Sequence, residues 1–344
     1  MQLFKKLNPL KRKLFKSLTA SFKNSKNLKE LSSISPNKVT RILIVRPNHR
    51  LGNQLLLSPL IQILNLEFPH AKVDLVVNGG ISDILYANYP NVNYIYNLPK
   101  KPFKNFGNYI GVSYKIISTK YTLAIAGEAK SNSGKIFLKL SRSKFKIFNN
   151  GEYPIQSIHM AHKPIDNLRF FLHKNQLNIS KAYPKIDLKL TDKEINKGRQ
   201  IILSYFKNNL PVIAIFTNAT GDKKLPEVWW NNFTALLEKT FPNTNILEIL
   251  PKENTSQVNF KYSHFYSKDL REITAVIENC NLYLSADCGI MHLASATNTP
   301  TVGLFNGATN PKIYAPYGEN KFAIDINKFS NNKLIKHIAD KQWL

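Results

Sequence analysis

The chain has 344 residues, 43% of them hydrophobic, with 14 glycines and 18 prolines, which is the composition of a globular protein long enough for two ordinary domains. Its formal net charge is +26, and residues 1–150 carry 25 Lys and Arg against 5 Asp and Glu while residues 151–344 carry 23 against 17. The first half is therefore expected to face something anionic, and the two cysteines, Cys280 and Cys288, exclude a disulfide framework and point to a reducing compartment.

Residues 1–36 stand apart as a basic tail. Leu3, Phe4, Leu7, Leu10, Leu14, Phe15, Leu18 and Phe22 recur at three- and four-residue steps among lysines, the pattern of a basic amphipathic helix interrupted at Pro9. Such a helix is expected to lie on an anionic membrane surface. No stretch approaches a transmembrane span, and the start lacks the apolar run of a signal peptide, so a cytoplasmic protein, peripheral on the inner face of the inner membrane, is expected.

After Pro36 strands and helices alternate. Arg41–Val45 predicts a strand, Gly52–Phe68 a helix, and Val73–Val77 the next strand; Leu123–Ala126, Lys144–Phe148 and Lys185–Leu190 are further strand candidates. A second series predicts a strand at Val212–Phe216, a helix at Glu227–Phe241, a strand at Asn245–Leu250 and a helix at Asp269–Cys280 capped by Asp269. It ends with a strand at Leu282–Ser285, a helix at Gly289–Thr297, a strand at Thr301–Phe305 and a last helix at Asn331–Trp343. This order implies two parallel α/β units: an N-terminal domain over 37–191 and a C-terminal domain over 192–327, closed by a helix in 328–344.

The segment LYLSADCGIMHLASATNTPTVGLF concentrates the chemistry. A strand gives way at Asp287-Cys288-Gly289 to a helix whose first N–H groups form an anion site. Gly289 is read as letting a phosphate approach the backbone, and His292, one turn in, as pointing back to the same site.

This segment resembles the C-terminal signature of glycosyltransferase family 9, the ADP-heptose:lipopolysaccharide heptosyltransferases. Asp287, Gly289, His292, Pro300, Leu304 and Phe305 follow the family pattern; Cys288 replaces its hydroxyl residue and Asn306 its glycine. The stretches ILIVRPNHRLGNQLLLSPL and FTNATGDKKLPEVWWNNFTALL are similar to its first strand–turn–helix and to its donor loop. The resemblance implies an α/β fold of GT-B type, two Rossmann-like parallel-sheet domains facing a central cleft. It implies an inverting, metal-independent transferase that moves a sugar, heptose from ADP-heptose, onto a lipopolysaccharide core or related phosphorylated glycolipid acceptor, with no cofactor beyond the nucleotide-sugar donor.

Residue by residue, the resemblance implies that Asp287, Cys288, Gly289 and His292 hold the donor's ribose and diphosphate. It gives Lys223, or the neighbouring Lys224, the task of stabilising the leaving diphosphate. Thr217, Asn218 and Thr220 are expected to donate hydrogen bonds to it, and Glu253 to contact the ribose. Where the well-known members have Gly-Asp, with Asp the base, this chain has Gly52-Asn53, and an amide is no general base. Three readings stay open: His49 or another nearby group takes the proton, Asn53 only orients the acceptor, or the chain binds without turnover. The alternatives are therefore a GT-B transferase with a different donor sugar and a non-catalytic nucleotide-sugar or membrane-surface module. No Asp-x-Asp suggests a metal, His159 and His162 read as loop residues, and no nucleic-acid motif accompanies the charge.

Overall fold

A computed structural model describes residues 17, 19–99, 106–128, 131–148, 157–173 and 182–344. These fall into two compact units, one running to His49 and resuming over Pro59–Pro184, the other formed by Arg50–Ser58 and Lys185–Leu344. The amphipathic pattern at 1–16, with Leu18, lies outside the described residues.

The first unit is a five-stranded sheet, β1 (Arg41–Val45), β2 (Lys72–Asn78), β3 (Val92–Leu98), β4 (Lys120–Ala126) and β5 (Arg142–Ile147), in the order β3-β2-β1-β4-β5. Every pairing is parallel. The central strands are runs of buried Ile, Leu, Val and Ala, as a sheet covered on both faces requires. Its helices are α2 (Ser58–Glu67), α3 (Ile81–Leu85), α4 (Phe106–Ser118) and α5 (Asn132–Leu140), with α6 (Lys163–Leu172) following β5, while α1 (Leu51–Leu55), next after β1 in the chain, belongs to the second unit. At the amino ends of the strands the fully buried Asp74 accepts from Arg41, Asn93 and Tyr121 at 2.9–3.0 Å. Burying that carboxylate is tolerable because its oxygens meet a guanidinium, an amide and a phenol. At the carboxyl ends, between β1 and β4, the fully buried Arg46 donates to the Gly127 carbonyl at 3.0 Å. That is the point where the strand order reverses, the usual ligand crevice of such a sheet, and here an arginine side chain occupies it.

The expected single helix over Gly52–Phe68 is two helices. Pro59 has no N–H and its ring would strike the carbonyl four residues back, so the first helix closes at Leu56 and Leu57 with bonds to Gly52 and Gln54. Lys185–Leu190, expected as a strand, joins no sheet. Its backbone groups are claimed elsewhere: Arg271 donates to the carbonyls of Leu188 and Lys189, and the Asp187 N–H to Ser58 Oγ. Lys189 also turns at a φ of 49°, which breaks an extended ladder.

The second unit is a six-stranded sheet, β6 (Val212–Phe216), β7 (Asn245–Ile249), β8 (Ser263–Phe265), β9 (Leu282–Ala286), β10 (Thr301–Phe305) and β11 (Lys321–Asp325), in the order β11-β10-β9-β6-β7-β8, again all parallel. Its helices are α7 (Asp192–Tyr205), α8 (Glu227–Thr240), α9 (Leu270–Glu278), α10 (Gly289–Ala294), α11 (Pro311–Tyr314) and α12 (Asn331–Ala339). Asp269 caps α9, accepting from the N–H groups of Arg271 and Glu272. Trp230, Phe233 and Leu237 on α8 pack against Ile213, Leu282 and Leu304 of the sheet, so the tryptophan is core. Helices α7 and α9 meet so closely at Gly198 that a Cβ there would lie 2.2 Å from the Ala275 carbonyl oxygen. Beside that contact the Arg271 guanidinium grips both Glu194 oxygens, at 2.5 and 2.9 Å, and holds the Glu194 carboxyl down at about 2.

Candidate functional site

In the second sheet the chain runs from β6 to β7 and β8 on one side, then returns to place β9 on the other side of β6. The reversal opens a crevice beyond the carboxyl ends of β6 and β9, where ligands of open α/β sheets bind. The loop after β6 carries Thr217–Lys224 and the turn after β9 carries Asp287. Lys223 Nζ lies 3.5 Å from Asp287 Oδ2, with the two side chains 23% and 7% exposed. The lysine and aspartate of the sequence reading thus meet at the switch point. Lys224 is exposed, and no ion pair to Asp287 is seen for it.

Neighbouring loops brace this pair. Thr309, in the loop after β10, donates to the same Asp287 oxygen at 2.5 Å. Asn306, where the family has glycine, donates to the Asp222 carbonyl at 2.7 Å and accepts from the Ala308 N–H. It ties the β10 loop to the 3-10 turn Gly221–Lys223 that presents the lysine. Thr309 has no motif of its own in the sequence; the Gly-Ala-Thr-Asn-Pro run that holds it is the only local signal for it.

On the other flank, Thr217 is 1% exposed and its hydroxyl proton goes to Glu248 Oε1 at 2.6 Å, while its oxygen accepts from the Gln257 N–H. The expected donor to a ligand is therefore committed to building the loop. Ser256 donates to the other Glu248 oxygen at 2.7 Å and accepts from the N–H groups of Val258 and Phe260. Burial pushes the Glu248 carboxyl up, and the two hydroxyls oppose that shift. Glu248 is absent from the sequence reading because a single acid in an apolar strand gives no motif. Asn218 donates to Thr255 at 2.8 Å, Thr220 is exposed at the head of the 3-10 turn, and Glu253 is exposed beside Lys252 at 3.5 Å.

Cys288 and His292 are buried, at 8% and 4% exposure. Burial pushes the Cys288 thiol up to about 11, so the sulfur stays protonated. Two glycines, Gly289 in this turn and Gly52 in α1, also serve packing. A Cβ on Gly289 would lie 3.0 Å from the Leu51 Cβ, so its bare face receives a leucine. A Cβ on Gly52 would lie 2.5 Å from His292 Cδ2 and 3.2 Å from Nε2. Helices α1 and α10 therefore approach through two glycines, and Asn53, half-buried, stands in the same short helix next to the residue that His292 touches. His49 is exposed in the loop after β1 and belongs to the first unit. His159 and His162 lie in the turn before α6 as expected, His159 buried and His162 stacked on Tyr183 at 3.8 Å. Burial, with the nearby His159 and Arg169, pushes the His162 imidazole down to about 3. Among the described residues no group of three His, Cys, Asp or Glu is placed to hold a metal.

Two parallel α/β sheets in succession, with a cation–carboxylate pair at the switch point of the second, define a protein of the GT-B class. The model of glycosyltransferase family 9 (heptosyltransferase) matches residues 155–340, and the chain belongs to that family. Lipopolysaccharide heptosyltransferase 1 of Salmonella typhimurium is 26% identical over 143 residues, which are 38% of this chain and 45% of that protein, so the match spans less than half of the relative. Among solved structures, a family 9 glycosyl transferase from Veillonella parvula superposes with a TM-score of 0.68 at 15% identity, covering 90% of this chain and 92% of that one. The E. coli heptosyltransferase WaaC with ADP superposes with a TM-score of 0.63 at 17% identity, covering 88% and 99%. These likenesses establish the GT-B fold.

Proposed function

We propose that the chain is an inverting glycosyltransferase that moves heptose from ADP-heptose onto a phosphorylated glycolipid of the lipopolysaccharide core type, at the cytoplasmic face of the inner membrane. The Lys223–Asp287 pair at the β6/β9 switch point carries this reading. An acceptor hydroxyl attacks the anomeric carbon, the bond from that carbon to the diphosphate oxygen breaks, and the nucleoside diphosphate leaves with the bonding electrons. Charge grows on the diphosphate as the bond stretches. Lys223, held in place by Asp287, supplies a fixed positive charge to it. With the donor present, Asp287 and His292 engage ribose and phosphate oxygens.

The attacking hydroxyl must lose a proton. Asn53 accepts a hydrogen bond from it but not the proton itself. The proton passes to His49 or to water. The amide at position 53 also supports a second reading, a module that binds a nucleotide sugar without turnover.

Thermal-shift screening against ADP-, UDP-, GDP- and CMP-sugars tests the donor. Stabilisation by ADP-heptose alone is the expected result. Preference for UDP- or GDP-sugars contradicts heptose while keeping the fold, and binding without product release in a transfer assay selects the module.

A further inference from the structure

Helix α4 has two unlike faces. Tyr109, Val112 and Ile116 turn inward and pack on the core of the first unit, with Tyr109 against Phe137 of α5 at 5.2 Å. The opposite side carries Ile110, Tyr114 and Ile117, spaced four and three residues apart and 52%, 71% and 45% exposed. That spacing puts the three side chains in one stripe. Lys115 is the single charged residue of the helix, and no acid interrupts the stripe. Contiguous exposed apolar residues of this kind mark an interaction surface.

The surroundings say what the partner is. Lys115 lies along the Tyr94 ring, its Nζ 3.3 Å from the phenol oxygen. Lys120 and Arg142 begin β4 and β5 and face each other across the ladder, and Lys144 is exposed two residues on. Lys146 donates to the Lys139 carbonyl, and the proximity of Lys139, after burial, holds the Lys146 ammonium below its usual range. Cations clustered in this way fit a surface of fixed negative charge.

The N-terminal segment reaches the same layer of the fold. Ser25 accepts from the N–H of Lys146 in β5 and Asn24 from that of Phe148 just beyond it, Thr19 donates to Asn132 at the start of α5, and Phe22 packs on the same core cluster as Tyr109. The described residues 19–25 are thus seated against α5 and the edge strand β5. We infer that the Ile110–Tyr114–Ile117 stripe, with its lysine surround, is the face by which the first unit rests on an anionic lipid bilayer. The apolar side chains enter the interface and the lysines meet the headgroups. This goes beyond the donor-site reading and holds whichever sugar is transferred.

The test uses the full chain. Both native cysteines are buried, so Tyr114→Cys introduces one accessible thiol for an environment-sensitive fluorophore. Leu203→Cys, exposed on α7 of the second unit, is the control. With vesicles containing 30 mol% phosphatidylglycerol, the dye at 114 is expected to shift to the blue and brighten while the dye at 203 does not. Phosphatidylcholine vesicles are expected to produce neither change. A triple Ile110→Ser, Tyr114→Ser, Ile117→Ser chain is expected to partition onto the anionic vesicles about tenfold less. All three positions are exposed, so that chain should melt with the unlabelled protein and keep its response to ADP, which separates loss of the face from loss of the donor site. Unchanged emission at 114 on vesicles that capture the protein would overturn the inference. So would a blue-shifted dye at 114 in the absence of vesicles, which would mean that this chain or a second copy covers the face.

Discussion

Gly52→Ala tests the contact between α1 and His292. A Cβ at position 52 would sit 2.5 Å from His292 Cδ2, whereas ordinary contacts begin at 3.4 Å, so the ring or the helix must retreat by about 0.9 Å. Overpacking of this size costs about 1–3 kcal/mol. Alanine in a helix offsets roughly 0.5–1 kcal/mol relative to glycine. The net loss of stability is therefore about 0–2.5 kcal/mol, read by urea denaturation. On the proposed role of His292 a ring displaced by that distance would lose its bond to the donor, and ADP is expected to bind about fivefold to tenfold more weakly by calorimetry. The cycle with His292→Ala isolates the contact: without the ring, Gly52→Ala should become neutral or stabilising by up to about 1 kcal/mol. An equal cost in both backgrounds would refute the steric argument, and unchanged ADP affinity in Gly52→Ala would detach His292 from the donor.

Gly198→Ala drives a methyl into the Ala275 carbonyl, 2.2 Å away, and a loss of about 2–4 kcal/mol is expected from the urea midpoint. Glu194→Gln leaves the buried Arg271 guanidinium without its carboxylate and should cost about 2–4 kcal/mol near neutral pH. In the parent chain the Glu194 carboxyl titrates at about 2, below its usual 4.5, so its contribution is complete above pH 4.5 and lost as pH falls toward 2. Denaturation followed against pH should show that acid limb flattened in the glutamine variant. Asn306→Gly restores the family residue but releases the Lys223 turn, and ADP affinity should fall about threefold with stability within about 0.5 kcal/mol of the parent. Asn53→Asp and His49→Ala, compared by transfer rate, locate the proton: a fall confined to His49→Ala assigns it to His49, and two unchanged rates exclude both residues.

What the sequence makes legible follows burial. β1, β6 and β10 are continuous apolar runs in the middle of their sheets, and their limits could be read directly. β3, β8 and β11 went unread because they are edge strands: VNYIYNL and KFAID alternate with polar residues on a half-exposed face, and SHF has three residues. KIDLKL has the strand pattern but no ladder, because Arg271, 81 residues beyond Leu190, holds its carbonyls. At the site, Asp287 and Lys223 were legible as a motif and their meeting follows from the strand reversal between β6 and β9. The roles of Gly52 and Gly289 were not, since a glycine names neither the leucine nor the imidazole that fills its empty side. The association of Arg50–Ser58 with the second unit is likewise a matter of packing between distant segments.

The central claim is that Lys223, seated against Asp287, binds the diphosphate of a nucleotide donor. Calorimetric titration of ADP into the parent protein and into Lys223→Met tests it most directly. The account predicts saturable binding to the parent and affinity at least about tenfold lower in the variant. Equal affinity in the two proteins, or no binding to the parent, would contradict it.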